Sequence, residues 1–161
     1  MKILLTGKTG QVGGELNNIL KDIGELVSVG REHLDLSKIT SIEPAIIDIQ
    51  PDIIINAAAY TAVDKAEEES ELAMTVNGIA PGVLAKAAKK IEASLIHYST
   101  DYVFDGRSDT PYREEDITCL LSIYGKSKLA GEKSIAEAGI PYLILRTSWV
   151  YSFQGKSFLR T

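Results

Sequence analysis

The first twenty residues, MKILLTGKTGQVGGELNNIL (1–20), decide the fold. The apolar run Ile3-Leu4-Leu5 leads into a turn with glycines at positions 7, 10 and 13. Apolar residues at helical spacing then follow, from Val12 through Leu16 to Ile19. A short continuous apolar run indicates a strand buried on both faces, and the 3.6-residue spacing indicates a helix. Strand, glycine turn and helix in this order predict the opening unit of a nucleotide-binding α/β fold.

The same alternation continues along the chain. Four further apolar runs read as buried strands, at residues 26–29, 53–55, 95–98 and 142–145. Helical patterns lie between them, which predicts βαβ units with right-handed crossovers. The fold is therefore predicted to be α/β, a Rossmann-like doubly wound parallel sheet. Ligands of such sheets bind at the carboxyl ends of the strands.

Helix boundaries follow from caps and breakers. Thr40 or Ser41 is the N-cap candidate of the second helix. A longer helical pattern spans residues 72–90, and Pro81 predicts a kink or break within it. The last helix is predicted from Ser122 or Ile123 to Ala138, where Gly139 and Pro141 stop it. Residues 101–121 lack periodicity, and a loop of this length is typical of a substrate pocket or lid.

The glycine turn is the first candidate site. Its spacing is G-x-x-G-x-x-G, which allows backbone N–H groups to approach a pyrophosphate at a helix N-terminus. The predicted cofactor contacts are Gly7, Gly10, Gln11, Val12 and Gly13. The alternative is a turn with a purely structural role.

The end of the second strand bears on the choice of cofactor. It reads Val29-Gly30-Arg31, with a guanidinium in place of the carboxylate that would bind the ribose 2′-hydroxyl of NAD. Arginine suits a 2′-phosphate, so NADPH is favoured while use of NADH stays open. Asp35 and Leu36 are candidate contacts of the adenine, and Asp35 reads equally well as a turn or cap residue.

Three residues form the predicted catalytic set. Tyr124 and Lys128 lie four apart on one helix face, where an ammonium is expected to lower the pKa of the phenol. Thr100 ends the fourth strand and can hydrogen-bond a substrate carbonyl. The alternative for Thr100 is a hydroxyl that caps a local N–H. His97 lies in a buried strand pattern and is interpreted as a satisfied core histidine, since no metal-ligand spacing is present.

Composition excludes several classes. The chain has 161 residues, a net charge of −5 and one cysteine, Cys119. The basic residues are scattered, which argues against a nucleic-acid partner. No apolar stretch has the length of a membrane span, and no secretory signal follows Met1. With the single cysteine, this favours a cytoplasmic protein.

Five segments together resemble the extended short-chain dehydrogenase/reductases, and within them the dTDP-4-dehydrorhamnose reductase family. They are residues 7–13 (GKTGQVG), 56–67 (NAAAYTAVDKAE), 98–106 (YSTDYVFDG), 124–132 (YGKSKLAGE) and 146–151 (RTSWVY). The first identifies only the superfamily, whereas the other four are more specific. The resemblance implies NADPH-dependent reduction of the 4-keto group of dTDP-4-dehydro-L-rhamnose to dTDP-L-rhamnose.

The resemblance also implies residue roles. Tyr124 would protonate the 4-keto oxygen, and Thr100 would contact the carbonyl. Lys128 would activate Tyr124 and bind the ribose. Asn77 would support the lysine. The sugar nucleotide would contact Asp101, Trp149 and Val63, besides Thr100 and Tyr124. The cofactor would be lined by Ala57, Ala58, Ala59, Tyr60 and Thr61. Magnesium at a homodimer contact is implied by the resemblance alone.

Two departures from the family pattern stand out. The segment before Tyr124 reads Cys119-Leu120-Leu121-Ser122-Ile123 and lacks the usual proline. Family members continue into a C-terminal substrate domain, so residues 1–161 are expected to be the NAD(P)-binding domain alone, weakly active or inactive, with residues 157–161 starting another helix. Two alternatives stay open. One is another sugar-nucleotide epimerase or dehydratase, and the other is a non-catalytic NADP-binding regulatory module.

Overall fold

Five parallel strands form one sheet in the computed structural model, which describes residues 1–152. The strands are β1 (Lys2–Thr6), β2 (Glu25–Val29), β3 (Ile53–Asn56), β4 (Ser94–Thr100) and β5 (Tyr142–Thr147), in the order β2-β1-β3-β4-β5. All five predicted strands are confirmed. β2 lies on one side of β1 and β3 on the other, so the strand order reverses beside β1. Open α/β sheets bind their ligands at this switch point.

Helices cover both faces of the sheet. They are α1 (Gln11–Ile19), α2 (Ile39–Ile49), α3 (Ser70–Met74), α4 (Ala80–Lys90) and α5 (Ile123–Ala136). Side chains alternate along β1, so Ile3 and Leu5 pack with Leu16 of α1, whereas Leu4 packs with Ile42 of α2 on the other face. The doubly wound arrangement is therefore confirmed. Leu4 and Ile42 are fully buried, and each such side chain contributes about 1.5–3 kcal/mol.

The predicted N-cap of α2 is wrong. The helix begins at Ile39, and its N-cap is Lys38, two or three residues before the predicted N-cap at Thr40 or Ser41. Ser41 lies inside the first turn of the helix, and its hydroxyl donates back to the Lys38 carbonyl at 2.8 Å. Its own backbone N–H donates to the same oxygen at 3.0 Å.

The break near Pro81 lies earlier than the proline itself. A π-helical turn, Thr75–Ile79, separates α3 from α4. Pro81 is the second residue of α4, a position where a missing N–H costs nothing. The last helix begins as predicted, because Ser122 accepts a hydrogen bond from the backbone N–H of Gly125 at 3.1 Å. It ends at Ala136, two residues before the predicted end, and Gly139 adopts a φ of +67°.

The irregular segment at residues 101–121 is also confirmed. After a 3₁₀ turn at Asp101–Val103 it carries no strand or helix. Phe104 and Tyr112 stack with ring centroids 4.3 Å apart, and Cys119 donates its backbone N–H to Val103 at 2.9 Å. The helix start predicted at residues 157–161 lies outside the described residues. Through residue 152, no helix is long and apolar enough to cross a bilayer.

Candidate active site

A cleft of about 770 Å³ opens at the carboxyl ends of β1, β3 and β4. This volume falls within the range of ligand pockets, roughly 300–1,000 Å³. Most of the predicted cofactor residues line it, namely Gly7, Gly10, Gln11, Val12, Arg31, Asp35, Leu36, Ala57, Ala58, Ala59, Thr61 and Lys128. The segments that follow β1, β2 and β3 thus form one wall of the cleft, and Lys128 reaches it from α5.

The glycine turn brings backbone close to backbone. Gly7 has a φ of +77°, and a Cβ there would lie 2.7 Å from the backbone nitrogen of Ala58. Gly13 is buried beneath the turn rather than in the cleft wall, and a Cβ on it would lie 2.0 Å from the Gly7 carbonyl oxygen. Helix α1 follows Gly10 without a side-chain cap. Its first turn can therefore offer backbone N–H groups to an anion.

A carboxylate that sequence reasoning missed lies at the end of β2. The Lys8 ammonium donates to Glu32 at 3.0 Å, and Nδ1 of His33 lies 3.0 Å from the same carboxylate oxygen. Hydrogen bonds from its own backbone N–H, from Lys8 and from His33 lower the pKa of Glu32 to about 2. Arg31 is exposed and lines the cleft, but Glu32 pairs with the lysine of the phosphate loop beside it.

Asp35 is a turn residue, and its contact with an adenine stays a prediction. Its carboxylate accepts hydrogen bonds from the backbone N–H of Ser37 at 3.0 Å and from the Ser37 hydroxyl at 2.8 Å. These bonds lower its pKa and make it a turn residue, as the structural interpretation predicts. It also lines the cleft beside the buried Leu36, so a contact with a ligand remains available.

Tyr124 and Lys128 lie at the inner end of the cleft. Tyr124 is 9% exposed and Lys128 1% exposed, and both line the cavity from α5. The Lys128 Nζ donates to the Tyr98 carbonyl oxygen at 2.6 Å and lies 3.2 Å from Nε2 of His97. Burial lowers the pKa of Lys128 to about 8, although the Glu132 charge one turn later opposes that shift.

The pKa of Tyr124 moves opposite to the expectation. Burial raises it, a hydrogen bond with Thr100 lowers it, and the negative charge of Asp101 raises it again. The net shift is upward because desolvation of the phenolate is the largest contribution, and the expected lowering by Lys128 is not among the contributions. Tyr102 packs edge-on against the Tyr124 ring, with centroids 5.6 Å apart and an interplanar angle of 81°.

Thr100 ends β4 and caps the turn that follows. Its hydroxyl accepts the Tyr102 backbone N–H at 3.2 Å and lies 3.2 Å from the Asp101 carboxylate, to which it donates. The capping interpretation is thus confirmed, and the carbonyl-binding role stays a prediction. Asp101 is exposed on the same turn. Neither residue contributes to the cleft wall.

The remaining predicted contacts lie around this cleft. Val63 packs in the cluster that contains Tyr124, whereas Trp149 is 69% exposed with a φ of +48°. Tyr60 turns its hydroxyl to Glu69, to which it donates at 2.7 Å. Asn77 does not contact Lys128 through any described hydrogen bond. It accepts the Tyr60 N–H at 2.8 Å and donates to the Ser127 hydroxyl at 3.1 Å, so it ties the loop after β3 to α5.

Several wall residues escape the sequence-based prediction. They are Thr9, Gly30, Leu34, Val76, Tyr98, Ser99, Thr147 and Val150. Thr9, Gly30, Leu34 and Ser99 directly adjoin predicted residues, so their position in the sequence was a usable signal. Val76 and Val150 come from a helical turn and from beyond β5, where only the tertiary fold brings them to the cleft.

His97 is confirmed as a satisfied core histidine. It is 1% exposed, and its Nδ1 lies 3.0 Å from the Asn56 amide nitrogen while Nε2 faces Lys128. Burial and the charge of Lys128 hold its pKa well below the ordinary value. Throughout residues 1–152, no group of three or more His, Cys, Asp or Glu side chains is arranged to hold a metal ion.

Comparison with known proteins identifies relatives over the whole chain. The family model described as the RmlD substrate binding domain matches residues 1–161. A dTDP-4-dehydrorhamnose reductase of Burkholderia thailandensis is 50% identical over 161 residues, which cover 100% of this chain and 54% of the relative. The chain thus spans about half the length of the curated relatives it matches.

Solved structures agree with the sequence relatives. A dTDP-4-dehydrorhamnose reductase of Clostridium acetobutylicum superposes with a TM-score of 0.95 at 40% identity, over 99% of this chain and 57% of that one. A dTDP-4-dehydrorhamnose reductase of Bacillus anthracis in complex with NADP superposes with a TM-score of 0.94 at 37% identity, over 98% of this chain and 57% of that one.

Proposed function

Because the chain belongs to the RmlD substrate binding domain family, we propose that it supplies the NADPH site and the proton donor of a dTDP-4-dehydrorhamnose reductase. The observation that carries the proposal is one continuous cleft. It runs from the glycine turn at Gly7 to the buried pair Tyr124 and Lys128. In this proposal, residues 1–161 form the NAD(P)-binding domain, and the reaction reduces the 4-keto group of dTDP-4-dehydro-L-rhamnose.

The residues present fit a dinucleotide. The backbone of Gly7 packs against Ala58 and that of Gly13 against Gly7, so only glycine fits at these two positions, as is typical of a turn that binds a pyrophosphate. Arg31 would bind a 2′-phosphate, and Asp35 with Leu36 would flank the adenine. The complex of a relative with NADP supports NADPH as the cofactor. When bound, NADPH supplies the hydride that adds to carbon 4 of the sugar.

The chain's own residues handle the proton. Tyr124 would donate its phenolic proton to the 4-oxygen as negative charge develops there. The Thr100 hydroxyl would stabilise the same oxygen by a hydrogen bond. Lys128 would hold the ribose hydroxyls and stabilise the phenolate that forms. Burial raises the pKa of Tyr124, so the phenol is protonated at neutral pH and ready to donate.

The sugar nucleotide would enter over the irregular segment. Val63 packs in the cluster that contains Tyr124, and we assign it to the substrate together with Asp101, Trp149 and Thr100. Trp149 is mostly exposed, which suits an aromatic surface for a planar or sugar ring.

The proposal is tested by NADPH oxidation with dTDP-4-dehydro-L-rhamnose, using the full-length protein that carries this chain. Tyr124→Phe removes only the hydroxyl, and loss of general acid catalysis typically lowers kcat by about 10²–10⁴-fold. Tyr142→Phe is the matched control, because Tyr142 is exposed on β5 away from the cleft. Equal kcat values for the parent and Tyr124→Phe would contradict the assignment of the proton donor. Absence of turnover in the parent would contradict the reaction.

A further inference from the structure

A buried polar row crosses the sheet and ends at Lys128. Thr6, Asn56 and His97 are register partners on β1, β3 and β4. The Thr6 hydroxyl donates to Asn56 Oδ1 at 2.7 Å, Asn56 Nδ2 lies 3.0 Å from His97 Nδ1, and His97 Nε2 lies 3.2 Å from Lys128 Nζ. The side chains of all four residues are at most 1% exposed. The proposed reaction uses Lys128 but gives the other three no role.

The direction of each hydrogen bond in this row is fixed by one backbone group. The Ala58 N–H can only donate, and it donates to Asn56 Oδ1 at 3.2 Å. The amide orientation of Asn56 is thereby set, with its NH₂ group facing His97. An NH₂ group can only donate, so Nδ1 of His97 must accept. A neutral imidazole carries one proton, which is then on Nε2 and points at Lys128.

The consequence for Lys128 follows from donor counting. An ammonium has three N–H donors and no acceptor, whereas a neutral amine has two donors and one lone pair. One donor of Lys128 goes to the Tyr98 carbonyl oxygen at 2.6 Å. The Nε2–H of His97 is a donor, and an ammonium at Lys128 has no lone pair to accept a hydrogen bond from it. A neutral amine can accept this hydrogen bond with its lone pair. The row therefore favours the neutral amine.

We infer that His97 is a positioning residue that presents an Nε2–H donor to Lys128 and thereby stabilises its neutral amine in the protein without cofactor. His97 touches neither cofactor nor substrate in this account and acts through Lys128. The inference rests on the proposed function only for the role of Lys128, since the hydrogen-bond directions follow from the fold.

Other ionisable groups near Lys128 do not account for this preference. Glu132, one turn later on α5, raises the pKa of Lys128, and Tyr124, one turn earlier, is neutral at physiological pH. Burial is the main cause that lowers the pKa of Lys128 to about 8. The Nε2–H of His97 acts in the same sense as burial.

The direct test is ¹⁵N NMR of the histidine rings in the full-length protein without cofactor. Any signal of His33, which is exposed, is assigned with a His33→Gln variant. We expect the His97 shifts of an Nε2–H tautomer with a bare Nδ1, and no imidazolium between pH 6 and 9. An Nδ1–H tautomer, or an imidazolium forming near pH 6.5, would overturn the inference. This readout does not depend on the substrate, so it stands apart from a failure of the proposed reaction.

Two variants test the consequence for the lysine. Asn56→Asp keeps acceptors for Thr6 and Ala58 but turns the group facing His97 into an acceptor, so His97 should switch to Nδ1–H. His97→Phe removes the donor aimed at Lys128 and should shift the alkaline limb of the kcat/KM profile upward by about one pH unit, the equivalent of about a tenfold change in the ionisation constant. An unchanged tautomer in the first variant, or an unchanged alkaline limb in the second, would overturn the positioning role.

Discussion

Replacing Glu132 with glutamine removes one charge from an ion pair that lies behind the active-site helix. Arg146 on β5 donates to the carboxylate through Nη2 at 2.7 Å and through Nε at 3.1 Å. The Ser99 hydroxyl donates to the same carboxylate at 2.5 Å. The Glu132 side chain is 7% exposed and that of Arg146 is 23% exposed. Glutamine fills the same space but leaves the guanidinium without its partner charge.

The expected cost follows from this burial. Removing one member of a buried ion pair costs about 3–5 kcal/mol, and the partial exposure of Arg146 places this pair at or below the lower end. We therefore expect a loss of about 2–3 kcal/mol. For a domain of this size each kcal/mol lowers Tm by about 2–4 °C, so Tm should fall by about 5–10 °C.

Loss of the ion pair should also affect the irregular segment at residues 101–121. The Arg146 guanidinium lies 5.1 Å from the centroid of the Phe104 ring, and it donates to the Glu114 carbonyl oxygen at 3.2 Å. It thereby holds the irregular segment at two points. A guanidinium released from Glu132 should loosen that segment and raise KM for the sugar nucleotide more than it lowers kcat.

Thermal unfolding of the parent and Glu132→Gln, with Glu137→Gln as the control, measures the effect. Glu137 is exposed just past the end of the same helix, so its replacement should change stability by less than about 0.5 kcal/mol. A difference of 2 °C in Tm corresponds to about 0.5–1 kcal/mol. If the Tm of Glu132→Gln lies within 2 °C of that of the parent, the ion pair does not stabilise the fold as argued.

Three further outcomes are expected. Glu32→Gln frees Lys8 for a phosphate and should raise the ratio of kcat/KM with NADPH to kcat/KM with NADH by about tenfold, which equals about 1.4 kcal/mol. Arg31→Ala should lower the same ratio. If both variants shift this ratio in the same direction, the assignment is contradicted. Gly13→Ala places a Cβ 2.0 Å from the Gly7 oxygen and should abolish NADPH binding in calorimetry, whereas Gly106→Ala, with nothing within 4 Å of its Cβ, should not. The pKa of Lys128 is lowered from 10.5 to about 8, so the unfolded chain binds more protons than the folded one between these pH values. The free energy of unfolding of the parent should therefore rise by up to about 3 kcal/mol relative to that of Lys128→Met as the pH increases from 8 to 10.5. A difference between the two proteins that stays constant with pH would refute the buried ionisation.

The sheet and half of the cleft were predictable because both depend on local sequence. Each strand, such as Ile53–Asn56, is a continuous apolar run, and a parallel sheet covered on both faces requires such runs. Parallel strands end at the same edge, so residues that follow them, such as Gly7 after β1 and Ala57 after β3, converge on the cleft. The glycine turn adds its own backbone constraint.

The interactions that tune the site were not predictable in the same way. The contact between His97 and Lys128 joins residues 31 positions apart and depends on the register of β4 against α5. The pairing of Glu32 with Lys8 depends on how two loops meet. The raised pKa of Tyr124 comes from burial, which helical spacing does not report. These are tertiary effects, whereas periodicity records only which residues share a face.

The most direct test of the proposed reaction follows the hydride itself. The full-length protein is incubated with dTDP-4-dehydro-L-rhamnose and, separately, with each of the two stereospecifically labelled [4-²H]NADPH forms, and the product is examined by ¹H NMR. The account predicts that one labelled form places deuterium on carbon 4 of the sugar, with one NADPH oxidised for each product formed. Conversion of the sugar without net NADPH oxidation, or deuterium at a carbon other than 4, would contradict it.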